Sequence, residues 1–129
     1  MKREEIRVDG QAEPISHFTD AVRVGELVFV SGIVAVDGDG RLVGGDDIVE
    51  QTRQVFRNMS EILAAAGCGF ADVVKVTVFL TDVGDRPRIN PVRQEVFGDT
   101  RPASTLVEVP RLAVEGAKVE IECVAAVPS

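Results

Sequence analysis

The sequence predicts an α+β fold, a mixed β-sheet with two helices on one face. Three observations carry this reading. Short alternating or β-branched runs gather at both ends of the chain and once in its middle. Residues 46–66 repeat apolar positions at three- and four-residue steps, as a half-buried helix does. A shorter helical stretch, 87–97, parts the middle run from the last ones. The order is strands, helix, strand, helix, strands, without an internal repeat, and the 129 residues read as one domain, 1–129.

Arg3 to Val8 alternates weakly and reads as an edge strand. Gln11 to Phe18 is a loop holding Pro14 and Ser16. Ala21–Val24 and Leu27–Ser31 flank Gly25-Glu26, the pattern of a hairpin with a two-residue turn. Val34–Val36 continues extended, Asp37-Gly38-Asp39-Gly40 turns, and Arg41–Val43 returns as a short strand. In the long helix Ile48, Thr52, Val55, Met59, Ile62 and Ala66 form the buried stripe, with Phe56 also core. Asp46 or Asp47 caps its start, and Gly67 ends it in the left-handed conformation.

Val73–Leu80 is broken only by Lys75 and Thr77 and reads as a central strand. The second helix, Pro87–Phe97, turns Ile89, Val92, Val96 and Phe97 inward, places Pro91 in its first turn and stops at Gly98. Arg101-Pro102 blocks any further helix. Arg101–Val124 then reads as two strands in a hairpin-like pair. Thr105, Val107 and Val109 alternate in the first, Val119, Ile121 and Cys123 in the second, with Pro110 and Gly116 between them. A sheet with both helices on one side leaves its other face bare, which predicts a homo-oligomer.

Composition narrows the function. With 45% hydrophobic and 27% charged residues the chain is an ordinary globular protein that buries roughly two thirds of its unfolded surface. A formal net charge of −7 argues against a nucleic-acid partner, which needs a basic stripe. No run of about 18 apolar residues exists, so no membrane span is expected, and the opening MKREEIRVDG has no hydrophobic leader, which favours a cytoplasmic protein. Cys68 and Cys123 make no disulfide framework; Cys68 reads as a loop residue and Cys123 as a small core residue. A single histidine, His17, is poor material for a zinc site or a Ser-His-Asp triad, and no phosphate-cradling glycine motif occurs, so neither metal nor cofactor is expected.

The chemical oddity is in the final strand. Glu120 and Glu122 are two apart, so both point to one face, either as solvated charges or as part of a polar site. The segment Arg101-Pro102-Ala103-Ser104-Thr105, followed by Lys118-Val119-Glu120-Ile121-Glu122, resembles the signature of the Rid (reactive intermediate deaminase, YjgF) family, and the resemblance extends over nearly the whole chain. It implies a homotrimer with a chorismate-mutase-like fold, ligand clefts between neighbouring subunits, a small-molecule substrate, and hydrolysis of enamines or imines to ammonia and a 2-oxo acid.

Carried over by position, the resemblance makes Glu120 the catalytic residue and Phe18, Ser31, Gly32, Asn90, Ser104 and Thr105 the substrate-binding set. Two positions depart from the pattern: Phe18 stands where the family has a tyrosine, and Ser104 where the deaminating members have a carboxylate-binding arginine. Ser104 cannot replace a forked guanidinium, so a less anionic, more apolar substrate is expected. Arg101 and Arg111 are the candidate substitutes. The other readings stay open: Ser31-Gly32 as a strand end, Asn90 as a helix cap, His17 as a surface residue or a titratable neighbour of the cleft, and the whole as a metabolite-binding trimer or a tautomerase or cyclase on the same scaffold. A ribonuclease is disfavoured by the charge and the lack of a histidine pair.

Overall fold

The computed structural model describes residues 1–129. Six strands form one sheet: β1 (Arg3–Ile6), β2 (Ala21–Val24), β3 (Leu27–Ile33), β4 (Val73–Leu80), β5 (Ala103–Glu108) and β6 (Val119–Ala126). Helices α1 (Ile48–Ala65) and α2 (Arg86–Phe97) complete the fold. The spatial order is β1-β2-β3-β6-β4-β5, antiparallel except for the parallel pair β4–β5. The mixed sheet with two helices is the α+β class expected.

The N-terminal half follows the sequence closely. β2 and β3 pair as the hairpin around Gly25, whose φ is 60°. Val36 bridges Leu42 across the Asp37–Gly40 turn. Asp47 caps α1 by accepting from the N–H groups of Val49 and Glu50, and Gly67, at φ 78°, turns the chain away at the other end. The predicted stripe is buried at every position, with Met59 and Val55 fully so.

Two readings need correction. The last two strands are not a hairpin, because β4 lies between them and pairs with both. Alternation identifies a strand but not its neighbour, and residues 109–118 are long enough to step across β4. The β4-to-β5 connection runs through α2, as a parallel pair requires. The second correction concerns α2: it begins at Arg86, so Pro87 is the first-turn proline, while Pro91 and Asn90 are interior. Asn90 is therefore not a cap, and Pro91 removes one helical hydrogen bond.

Strand parity assigns the two faces. Val28 and Val30 of β3, Val76, Val78 and Leu80 of β4, and Val119, Ile121 and Cys123 of β6 are buried beneath the helices. Phe56, Phe70 and Phe97 close one end of this core edge-to-face, with centroids 5.5–6.0 Å apart. A buried polar joint lies at the start of α1. Gln51 donates to the carbonyls of Gly45 (2.6 Å) and Gly116 (3.0 Å) and accepts from Lys118 N–H (2.8 Å), tying α1 to the entrance of β6. The opposite face is bare and mixed. Leu27 and Phe29 are 42% and 47% exposed there, and Glu120 and Glu122 stand on it beside Phe79 and Thr77 of β4.

Candidate functional site

A cleft of about 390 Å³ opens where the ends of β3 and β6 meet the 11–18 loop, and Phe18, Ser31, Gly32 and Glu120 all line it. The loop is held from β1. Arg7 forms an ion pair with the buried Asp20 at 2.7 Å and donates to the carbonyls of Val8, Gln11 and Ala12. Asp20 also accepts from Val8 N–H, and Thr19 Oγ1 donates to the Ile6 carbonyl. Phe18 is thus presented, half-exposed, by an anchored loop. Ser31 joins loop to sheet: its hydroxyl donates to the Thr19 carbonyl at 2.6 Å and its N–H to the Asp20 carbonyl at 3.0 Å. Its hydroxyl proton is committed to backbone, so toward a ligand Ser31 can only accept.

Glu120 is the group without a partner. Its carboxylate is half-buried, yet it makes no side-chain hydrogen bond and no ion pair. It lies directly over Gly32, where an added Cβ would collide with the carboxylate, so glycine is what lets the acid sit there. Burial pushes the Glu120 pKa above the ordinary carboxylate value, and the like charge of Glu122 pushes it further. A desolvated carboxylate with an unoccupied oxygen beside an apolar wall can take a proton from a bound water.

The remaining predicted residues lie elsewhere and are not brought together. Ser104 stands in register with Val76 on the helix face, whereas Thr105, in register with Thr77, points the other way and accepts from Lys75 Nζ at 2.7 Å. Neighbours on one strand cannot face one site together. Asn90 is exposed on α2 and makes no hydrogen bond. None of Asn90, Ser104 and Thr105 lines the cleft that holds Glu120. His17 is exposed and outside the cleft wall. Cys68 and Cys123 are buried free thiols; burial raises both, Cys123 to about 12, so neither is a nucleophile.

Sequence reasoning missed Arg93. It lies one helical turn beyond Asn90, and its Nη2 donates to Ser104 Oγ at 2.8 Å. Arg101 and Arg111 remain exposed and bond nothing. The signal was present in the three-residue step from Asn90, but only the register of β5 shows that Ser104 faces α2.

Comparison with known proteins gives the family. The family model described as Endoribonuclease L-PSP matches residues 10–127. A RutC family protein of Pyrococcus abyssi is 40% identical over 126 residues, covering 97% of this chain and 98% of that one. The human protein named 2-iminobutanoate/2-iminopropanoate deaminase is 38% identical over 112 residues, covering 86% and 80% respectively. The crystal structure of RidA from an Antarctic Psychrobacter superposes with a TM-score of 0.89 at 34% identity, over 95% of this chain and 98% of that one. The Escherichia coli YjgF gene product gives 0.87 at 31%, over 95% and 98%. On its sequence and its fold alike, the chain belongs to the Endoribonuclease L-PSP family, the Rid and RutC group that its C-terminal signature resembles.

Proposed function

We propose that the protein hydrolyses a small imine or enamine, with Glu120 as the base. The observation that carries this reading is the unpartnered, partly desolvated carboxylate of Glu120 inside the cleft. The enamine first tautomerises to the imine, which is protonated on nitrogen. Glu120 takes a proton from water as the water oxygen adds to the imine carbon. The acid then returns that proton to the nitrogen of the resulting carbinolamine. As the C–N bond breaks, the re-ionised Glu120 takes the hydroxyl proton, ammonia leaves, and the oxygen becomes the carbonyl. Phe18 shields one side from bulk water. The deaminase name of the human relative supports the same reaction class.

The cleft is completed by a neighbouring copy in a homotrimer. What supports this is the separation of Asn90 and Ser104 from Glu120 within one chain, together with the bare sheet face carrying Leu27, Phe29 and Val107. Ser104 taken alone favours a substrate less anionic than one an arginine would hold.

The test generates imines from amino acids with an amino-acid oxidase and traps them with semicarbazide. The protein should lower semicarbazone formation and speed ammonia release. If neither rate moves with any imine, acidic or neutral, the reading falls; a monomeric mass in solution removes the shared cleft. Gly32→Ala should displace the Glu120 carboxylate and lower hydrolysis about 100-fold. It should change stability by about 1 kcal/mol or less, since the obstructing atoms are the flexible end of a side chain and Gly32 has no positive φ. An unchanged rate would show that the carboxylate's seat over Gly32 is immaterial.

A further inference from the structure

The expected preference for a less anionic substrate changes once α2 is counted. Arg93 is half-buried on the flank of α2, and its one hydrogen bond goes to the neutral hydroxyl of Ser104. No carboxylate pairs with it, although the chain has 21 acidic residues and Arg3, Arg7, Arg53 and Arg88 all find one. Burial alone lowers its pKa, the only arginine so affected, yet it stays charged. Of the other arginines without a carboxylate, Arg41, Arg57, Arg86, Arg101 and Arg111 stand in open solvent, and the half-buried Arg23 donates to the Gly25 carbonyl.

A partly desolvated guanidinium with spare donors is incomplete without an acceptor. Ser104 is exposed on the helix side of the edge strand β5 and Arg93 is half-buried beside it, so a second copy or a ligand can reach the pair. The bond to Ser104 fixes the plane of the fork, and Asn90, three residues back, adds an amide on the same flank. We propose that Arg93, oriented by Ser104, binds the carboxylate of a substrate seated in the Glu120 cleft of a neighbouring copy, so that the shared cleft takes 2-imino acids through a guanidinium carried by helix α2 instead of strand β5. A forked anchor also offsets the repulsion between an anionic substrate and Glu120.

For turnover this rests on the hydrolase reading; for binding it does not. Wild type, Arg93→Ala and Arg93→Lys, each checked for mass and melting temperature, are assayed with a 2-imino carboxylate and with the uncharged imine of the matching amide. Arg93→Ala should cut kcat/KM for the carboxylate about ten- to a hundredfold, mainly through KM, and leave the amide within about threefold. Arg93→Lys should recover part of the loss. Calorimetry with pyruvate and its amide reads binding alone, and the alanine variant should lose only the pyruvate. Equal losses on both substrates, or a wild type that prefers the amide, overturn the assignment while leaving the hydrolase reading intact. If Arg93→Ala breaks the oligomer, the guanidinium holds the contact between subunits instead of a substrate and the proposal is wrong. If no imine is hydrolysed but pyruvate binding needs Arg93, the hydrolase reading falls and the anion site stands; if pyruvate does not bind wild type, the anion site falls.

Discussion

Glu120→Gln should remove imine hydrolysis by about 10²- to 10⁴-fold, the range of a lost general base, and raise thermal stability at neutral pH. The two effects share one cause. Burial and Glu122 hold the Glu120 pKa above its ordinary value of 4.5, so the folded protein binds this proton more tightly than the unfolded chain. The ionised carboxylate therefore opposes folding. That penalty is absent below the unfolded pKa, grows as pH rises, and is complete above the folded pKa. Glutamine removes it. The variant should melt above wild type at pH 7, and the two should converge below the ordinary carboxylate range. The wild-type rate should decline on the acid side through a pKa above 4.5, and Glu122→Gln should move that limb to lower pH. A variant that melts lower at pH 7 with its rate intact would make Glu120 a structural residue.

Gln51→Ala should be a costly single change although it lies away from the cleft. Gln51 is fully buried and satisfies three backbone groups at once, the carbonyls of Gly45 and Gly116 and the N–H of Lys118. Alanine leaves all three without that partner and opens a void beside α1. At roughly 1 kcal/mol for each bond, the loss is about 3 kcal/mol. For a chain of this size that lowers the melting temperature by on the order of 10 °C, measurable by calorimetry or circular dichroism. Because the joint fixes where β6 begins, the variant should also loosen the segment leading to Glu120, read as faster amide exchange at Lys118 and Val119. A melting temperature within 2–3 °C of wild type, roughly a 1 kcal/mol effect, would show that water replaces all three contacts.

Local pattern made most of the fold legible. The stripe from Ile48 to Ala66, the hairpin about Gly25 and the run Val73–Leu80 each have one strong period and one strong punctuation mark. The arrangement of the last two strands was not legible, because alternation carries no information about which edge a strand joins. Gln51 escaped notice for a similar reason: it borders the apolar stripe, and its partners are backbone groups distant in sequence. At the site, the parity of Glu120 and Glu122 was readable directly. Arg93 was not, since its meaning depends on a helix packing over a parallel strand.

The position of β6 also orders events during synthesis. It is the last strand made, yet it lies between β3 and β4 and pairs with both. Until it emerges from the ribosome, an N-terminal meander and a β4–α2–β5 unit both exist with an open inner edge and no ladder joining them. Closure is a single late insertion, so nascent or C-terminally clipped chains display two adhesive strand edges at once. The same insertion delivers Glu120, and the carboxylate enters the cleft only in the step that completes the sheet.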